Sequence, residues 1–140
     1  MSDGSTNAPP ADRALRALCW LSAAYDFALA LGMLLAPLAV ARAFGAPAPQ
    51  PVVNAQLNGV FTLTLGVGYV WAARDQAVRR GYVWLAGVLA KSMGAVLFVA
   101  DHLLRGSPPA FLLFALSDGT LAVVSLVLLL RARGGARTSR

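Results

Sequence analysis

Residues 88–97 read VLAKSMGAVL, so that Lys91 stands at the centre of an apolar run with Trp84 before it and Phe98 after it. A lysine on a soluble helix can reach water, whereas the same lysine inside a bilayer needs an acid. Which applies depends on the solvent of the whole chain. Of the 140 residues 58% are hydrophobic and 13% are charged, against roughly a quarter charged in soluble domains. Glutamate is absent, and most charges cluster between long apolar runs instead of recurring once per helical turn. The solvent of this chain is lipid.

Working outward from Lys91, four apolar runs cover residues 14–35, 52–73, 82–104 and 110–130. Each is close to the ~20 residues needed to cross ~30 Å of hydrocarbon. Breaks rich in proline or charge separate them: APAPQP, AARDQAVRRG and RGSPP. Membrane β-strands would alternate over ~10 residues, and these runs are twice that length. The expected fold is all-α, an antiparallel bundle of four transmembrane helices over residues 13–131. A disordered tail is expected over residues 1–12 and a basic tail over 132–140, both cytoplasmic. The first run carries a basic flank and Ala28-Leu29-Ala30, which resembles a signal-cleavage site. Its length and the interruption by Tyr25 and Asp26 favour a retained helix.

The net charge is +6 and the isoelectric point is near 10.8. In a soluble protein these values would suggest nucleic acid. Here the arginines flank apolar runs and are not interleaved with aromatics, so they are read as topology determinants. Arg13, Arg16, Arg74, Arg79, Arg80, Arg131, Arg133, Arg137 and Arg140 fall on one side, and Arg42 and Arg105 on the other. That bias puts both termini in the cytoplasm, with Trp20, Tyr69, Trp71, Tyr82 and Trp84 near the same interface. The segment PLAVARAFGAP, residues 37–47, is too short to cross and suits either a short interfacial helix or a loop.

Asp26, Lys91 and Asp118 each fall near the middle of a run, and the helical rise places them within about 3 Å of one plane. A lone charge there costs at least ~2.5–3.5 kcal/mol, so such groups pair across the bundle. The short link between the third and fourth runs favours Asp118 as the partner of Lys91, with Asp26 as the other candidate. If all three meet, one amine faces two acids and the site could hold a proton. Asn54, Asn58 and Thr62 recur every four residues in the second run, which suggests a polar stripe pointing inward. Asn58 could then bridge acid and amine. Gly87 and Gly94 flank Lys91, Ser22 and Ala30 flank Asp26, and Ala115, Ala122 and Ser125 flank Asp118, so the charged faces are also expected packing seams.

The network could fix helix order alone, or bind a ligand or a proton. Asp101 and His102, at the outer end of the third run, suit an interfacial polar pair. A single histidine cannot give bis-histidine haem ligation within one subunit, and the lone Cys19 gives neither an internal disulfide nor a cysteine metal site. No nucleophile elbow, phosphate loop or HExxH is present, so no catalytic residues, cofactor or metal are assigned, and an enzyme acting alone is not expected.

YDFALALGMLLAP, NAQLNGVFTLTLGVGYVWAARD, KSMGAVLFVADHL and FALSDGTLAV together cover most of the chain. In span number, length and inward polar residues the chain resembles the DoxX-like group of small bacterial membrane proteins. That resemblance implies an inner-membrane bundle with a quinone-side or partner-binding role, since members of the group look like accessory subunits of respiratory or redox complexes, a thiosulfate:quinone oxidoreductase among them. The expected partners are the lipid bilayer, a membrane protein or a second copy, and a quinone or small apolar ligand, with no nucleic acid. The expected function is a non-enzymatic accessory or ligand-binding subunit of a bacterial cytoplasmic membrane. A small proton-coupled transporter and a quinone-associated redox subunit are the alternatives.

Overall fold

The computed structural model describes residues 10–135, and every element among them is helical. Helix α1 spans Pro10–Leu35, α2 Pro37–Ala43 and α3 Val52–Arg74. Helix α4 runs unbroken from Gln76 to Arg105, and α5 covers Leu112–Gly135 after one 3-10 turn at Pro109–Phe111. Three of these helices, α1, α4 and α5, are long and apolar enough to cross a membrane. Helix α3 matches them in length, but Asn54, Gln56 and Asn58 make its first turns polar.

Several boundaries differ from the sequence reading, each for a local reason. Residues 10–12 of the expected tail are helical and belong to α1. Residues 1–9 of that tail lie outside the described residues. The charged break AARDQAVRRG is almost entirely helical, interrupted only at Asp75, whose extended backbone separates α3 from α4. Its carboxylate accepts from the Ala77 amide at 2.8 Å and so caps α4. The expected basic tail continues α5 to Gly135, and residues 136–140, with Arg137 and Arg140, lie outside the described residues. Segment 37–43 is a helix, started by Pro37.

The eight residues Val83–Ala90 of α4 form a π-helix that ends where Lys91 begins. Such wide turns are rare and cluster at functional sites. At its far end α4 stops at Gly106, whose φ of 69° is the left-handed cap that glycine adopts without steric cost.

Helix α1 packs along α3, α4 along α5, and α1 also meets α5. The core consists of Leu15, Cys19, Ala23, Tyr69, Ala72, Ala73, Val83, Ala86 and Leu129, gathered at the end where α1 begins. Small side chains dominate it, which lets helices approach closely without a water-driven hydrophobic force. At this end Arg79 is buried and ties three helices together. It donates to the carbonyls of Ala72 at 2.9 Å and Ala73 at 3.1 Å, and to Asp12 at 2.7 Å. Those carbonyls belong to the last turn of α3, where no backbone amide follows to satisfy them. Arg80 donates to Ala132 O at 2.5 Å, and Arg74 sits 5.8 Å from the centre of the Trp20 ring. The remaining surface is sheathed in leucine and valine, including Leu21, Leu97 and Val123, all more than 60% exposed. Such a surface suits contact with lipid.

Candidate functional site

Asp26 on α1, Lys91 on α4 and Asp118 on α5 meet at the junction of the three helices. Lys91 Nζ donates to Asp26 Oδ1 at 3.2 Å and to Asp118 Oδ1 at 3.0 Å. The side chains of Asp26 and Lys91 are 2% and 9% exposed, and that of Asp118 is 17% exposed. One amine is thus shared by two carboxyl groups, so acid outnumbers base where water is scarce and each attraction correspondingly strong. The second oxygen of Asp26 is buried with no hydrogen-bond partner, and so is the hydroxyl of Tyr69 on α3.

Glycines make the meeting possible. A Cβ on Gly94 would lie 3.0 Å from Asp118 Oδ2, and one on Gly87, inside the π-helix, 2.7 Å from Ser125 Oγ. On α3 a Cβ at Gly66 would meet the Phe27 ring at 2.7 Å and Asp26 Cβ at 3.4 Å. Ser22, Ala30, Ala115, Ala122 and Ser125 are all buried on the faces that carry the acids.

Tyr25 extends the network in a way the sequence reading missed. Its hydroxyl lies 2.7 Å from Ser117 Oγ, and its ring centre is 4.9 Å from Lys91 Nζ, within cation–π range. The available sign was a tyrosine next to a mid-run acid, a side chain that places a polar tip on an apolar body. In the sequence Arg79 has the pattern of a flanking charge and nothing more. Its clamp depends on α3 and α4 folding back within three residues, which charge counting does not reveal.

The second run does not turn the expected polar stripe inward. Asn54 and Asn58 are exposed, and Thr62 is half-buried with its hydroxyl donating to Asn58 O of its own helix at 2.8 Å. No hydrogen bond among the described residues joins these three to the charged cluster. The side of α3 turned to α1 is built instead from Gly59 and Gly66, because glycine permits the closer helix contact. Asp101 and His102 do not form a pair with each other either. Asp101 accepts from Arg105 at 2.8 Å, and His102 Nδ1 lies 2.7 Å from Ser107 O. Successive helix residues face different directions, so each finds a partner on its own side.

A group of aromatic rings stands beside the cluster, toward α2. Phe98 is two turns from Lys91 on the same line of α4, and Phe114 is one turn from Asp118 on α5. Their rings stack at 5.3 Å, and Phe44, just after α2, stacks on Phe114 at 4.6 Å. All three are half-buried. No family model, curated protein or solved structure matches this chain.

Proposed function

We propose that the chain is an integral protein of a bacterial cytoplasmic membrane that crosses the bilayer four times, with both termini in the cytoplasm. In that membrane it serves as a non-enzymatic ligand-binding or accessory subunit. The length of α3 supports its counting as the fourth span, since its 23 residues at the helical rise reach about 34 Å. Arg74, Arg79, Arg80 and Arg131 at one end of the bundle support the orientation.

The observation that carries the reading is Lys91 held between Asp26 and Asp118 with one Asp26 oxygen left unpartnered. A purely structural pair would be expected to match one acid to one amine and to satisfy its oxygens. Surplus acid at the junction of three helices instead suits a site that takes up a donor from outside the chain. The resemblance to the DoxX-like group supports a redox membrane protein as the partner.

The test is extraction of the full chain from native membranes in mild detergent, followed by mass spectrometry of what comes with it. The expected result is a stoichiometric membrane-protein partner or a bound amphiphile that is lost in Asp26→Asn. Recovery as a bare monomer or homodimer, with nothing bound, would sink the reading.

A further inference from the structure

At the arginine-rich end the acids are already engaged. Asp12 holds Arg79, and the carboxylate of Asp75 caps α4. Arg16 on α1 and Arg74 on α3 are exposed, and among the described residues neither guanidinium has a carboxylate or a hydrogen-bond acceptor as its partner. Arg74 instead rests against Trp20 of α1, its central carbon 5.8 Å from the ring centre. Arg16 lies one helical turn before Trp20, and a helical side chain leans over the turn that precedes it. The exposed indole therefore has an unpaired arginine of α3 against it and one of α1 a turn away.

Both arginines stand at one depth. Gly66 of α3 faces Asp26 of α1, which sets the two helices level there. From that level Arg16 is ten residues along α1 and Arg74 eight along α3, about 15 Å and 12 Å at the helical rise. With Asp26 at mid-depth, these distances reach the edge of ~30 Å of hydrocarbon, where lipid phosphates begin. Toward the membrane interior the same seam is apolar and exposed, with Ala24 one turn below Trp20 on α1 and Val67 two turns below Arg74 on α3.

Setting topology needs only positive charge on the correct side of the membrane. It does not call for two unpaired guanidinium groups at one depth near one indole. Arginine forks pair with phosphate oxygens, and cations without acids favour a headgroup of net negative charge over one whose phosphate is balanced by its own amine. A free phosphate would find the cations but make no use of the apolar seam.

We infer that the α1–α3 seam at this end binds one anionic phospholipid, its phosphate at Arg16 and Arg74 and an acyl chain along Ala24 and Val67. The site is separate from the charged cluster and stands whether or not the cluster takes a ligand.

The probe is phosphatidylglycerol, titrated into the purified full chain in neutral detergent and counted by native mass spectrometry, with phosphatidylcholine of the same acyl chains as the control. One phosphatidylglycerol per chain should be retained at concentrations where phosphatidylcholine is not. Arg16→Gln combined with Arg74→Gln should weaken retention about tenfold or more. Arg42→Gln combined with Arg105→Gln removes the same net charge from the opposite end and should leave it unchanged. Trp20→Leu alters no charge and should weaken retention too, so the test stands even if the first pair fails to fold. Equal retention of the two lipids overturns the inference, as do equal losses from the two arginine pairs, displacement by millimolar inorganic phosphate, or retention unmoved by both the Arg16–Arg74 pair and Trp20→Leu. A lipid held here is told from an amphiphile at the cluster by the substitution that releases it, Arg16 and Arg74 here and Asp26 there.

Discussion

At the scale of single residues, Lys91 is the charge on which the others depend. Lys91→Met leaves two acids facing each other without a cation, and breaking a buried pair in this way costs about 3–5 kcal/mol. Because the amine serves both acids, adding only Asp26→Asn or only Asp118→Asn should restore part of that loss. The triple variant should restore most of it. Reversible unfolding of the full chain in detergent measures each step, and a triple variant no more stable than Lys91→Met would refute the shared pairing. Gly87 offers an independent check. Its missing Cβ makes room for Ser125, so Gly87→Ala should destabilise by about 1–3 kcal/mol. Ser125→Ala removes the nearest atom and should recover part of this, giving a coupling that a double-mutant cycle detects. Additive effects would mean that the two helices do not touch there.

At the scale of elements, the α3–α4 junction shows how little chain is needed to reverse direction when one side chain supplies the missing hydrogen bonds. Arg79→Lys keeps the charge but cannot reach two carbonyls and Asp12 with the same fork of donors. Leaving buried carbonyls unsatisfied costs about 1–3 kcal/mol each, so this conservative change should lower stability clearly. A thermal midpoint equal to that of the parent would show the clamp to be idle. Asp75→Ala removes the cap of α4 and should cost about 1 kcal/mol, with faster amide exchange at Ala77 as its local signature. Much of this level is legible in the chain: the proline and glycine breaks mark where α1, α3 and α5 change direction. The charged segment 72–81 reads as a loop because its arginines look solvated. It folds as helix because Arg79 turns inward.

At the scale of the whole molecule, the bundle is closed at its arginine-rich end and open toward α2. Small residues fill the closed end, where Ala72, Ala73, Ala86 and Cys19 let backbones approach. Four crossings require the α2–α3 loop and the α3–α4 junction to lie on opposite sides of the membrane. With Cys19 replaced by serine, single cysteines at Ala48 and Asp75 should therefore react with an impermeant thiol reagent from opposite faces of sealed vesicles. Labelling of both from the same face would leave α3 on the surface of the bilayer and reduce the number of crossings.

By itself the sequence determined the solvent and the helical class, because 13% charged residues and long runs without solvated faces have no stable arrangement in water. It also determined that Lys91, Asp26 and Asp118 share one depth, since that follows from run length and helical rise alone. Only the tertiary structure decided that one lysine serves both acids, that the Asn54–Asn58–Thr62 face lies open, and that Tyr25 and Arg79 take part. These depend on how helices rotate about their axes and how closely they pack. Glycines opposite bulky partners, and a π-helix ending at Lys91, set those rotations through contacts between residues distant in the chain. A pattern of residues along one helix carries no information about which neighbour its face will meet.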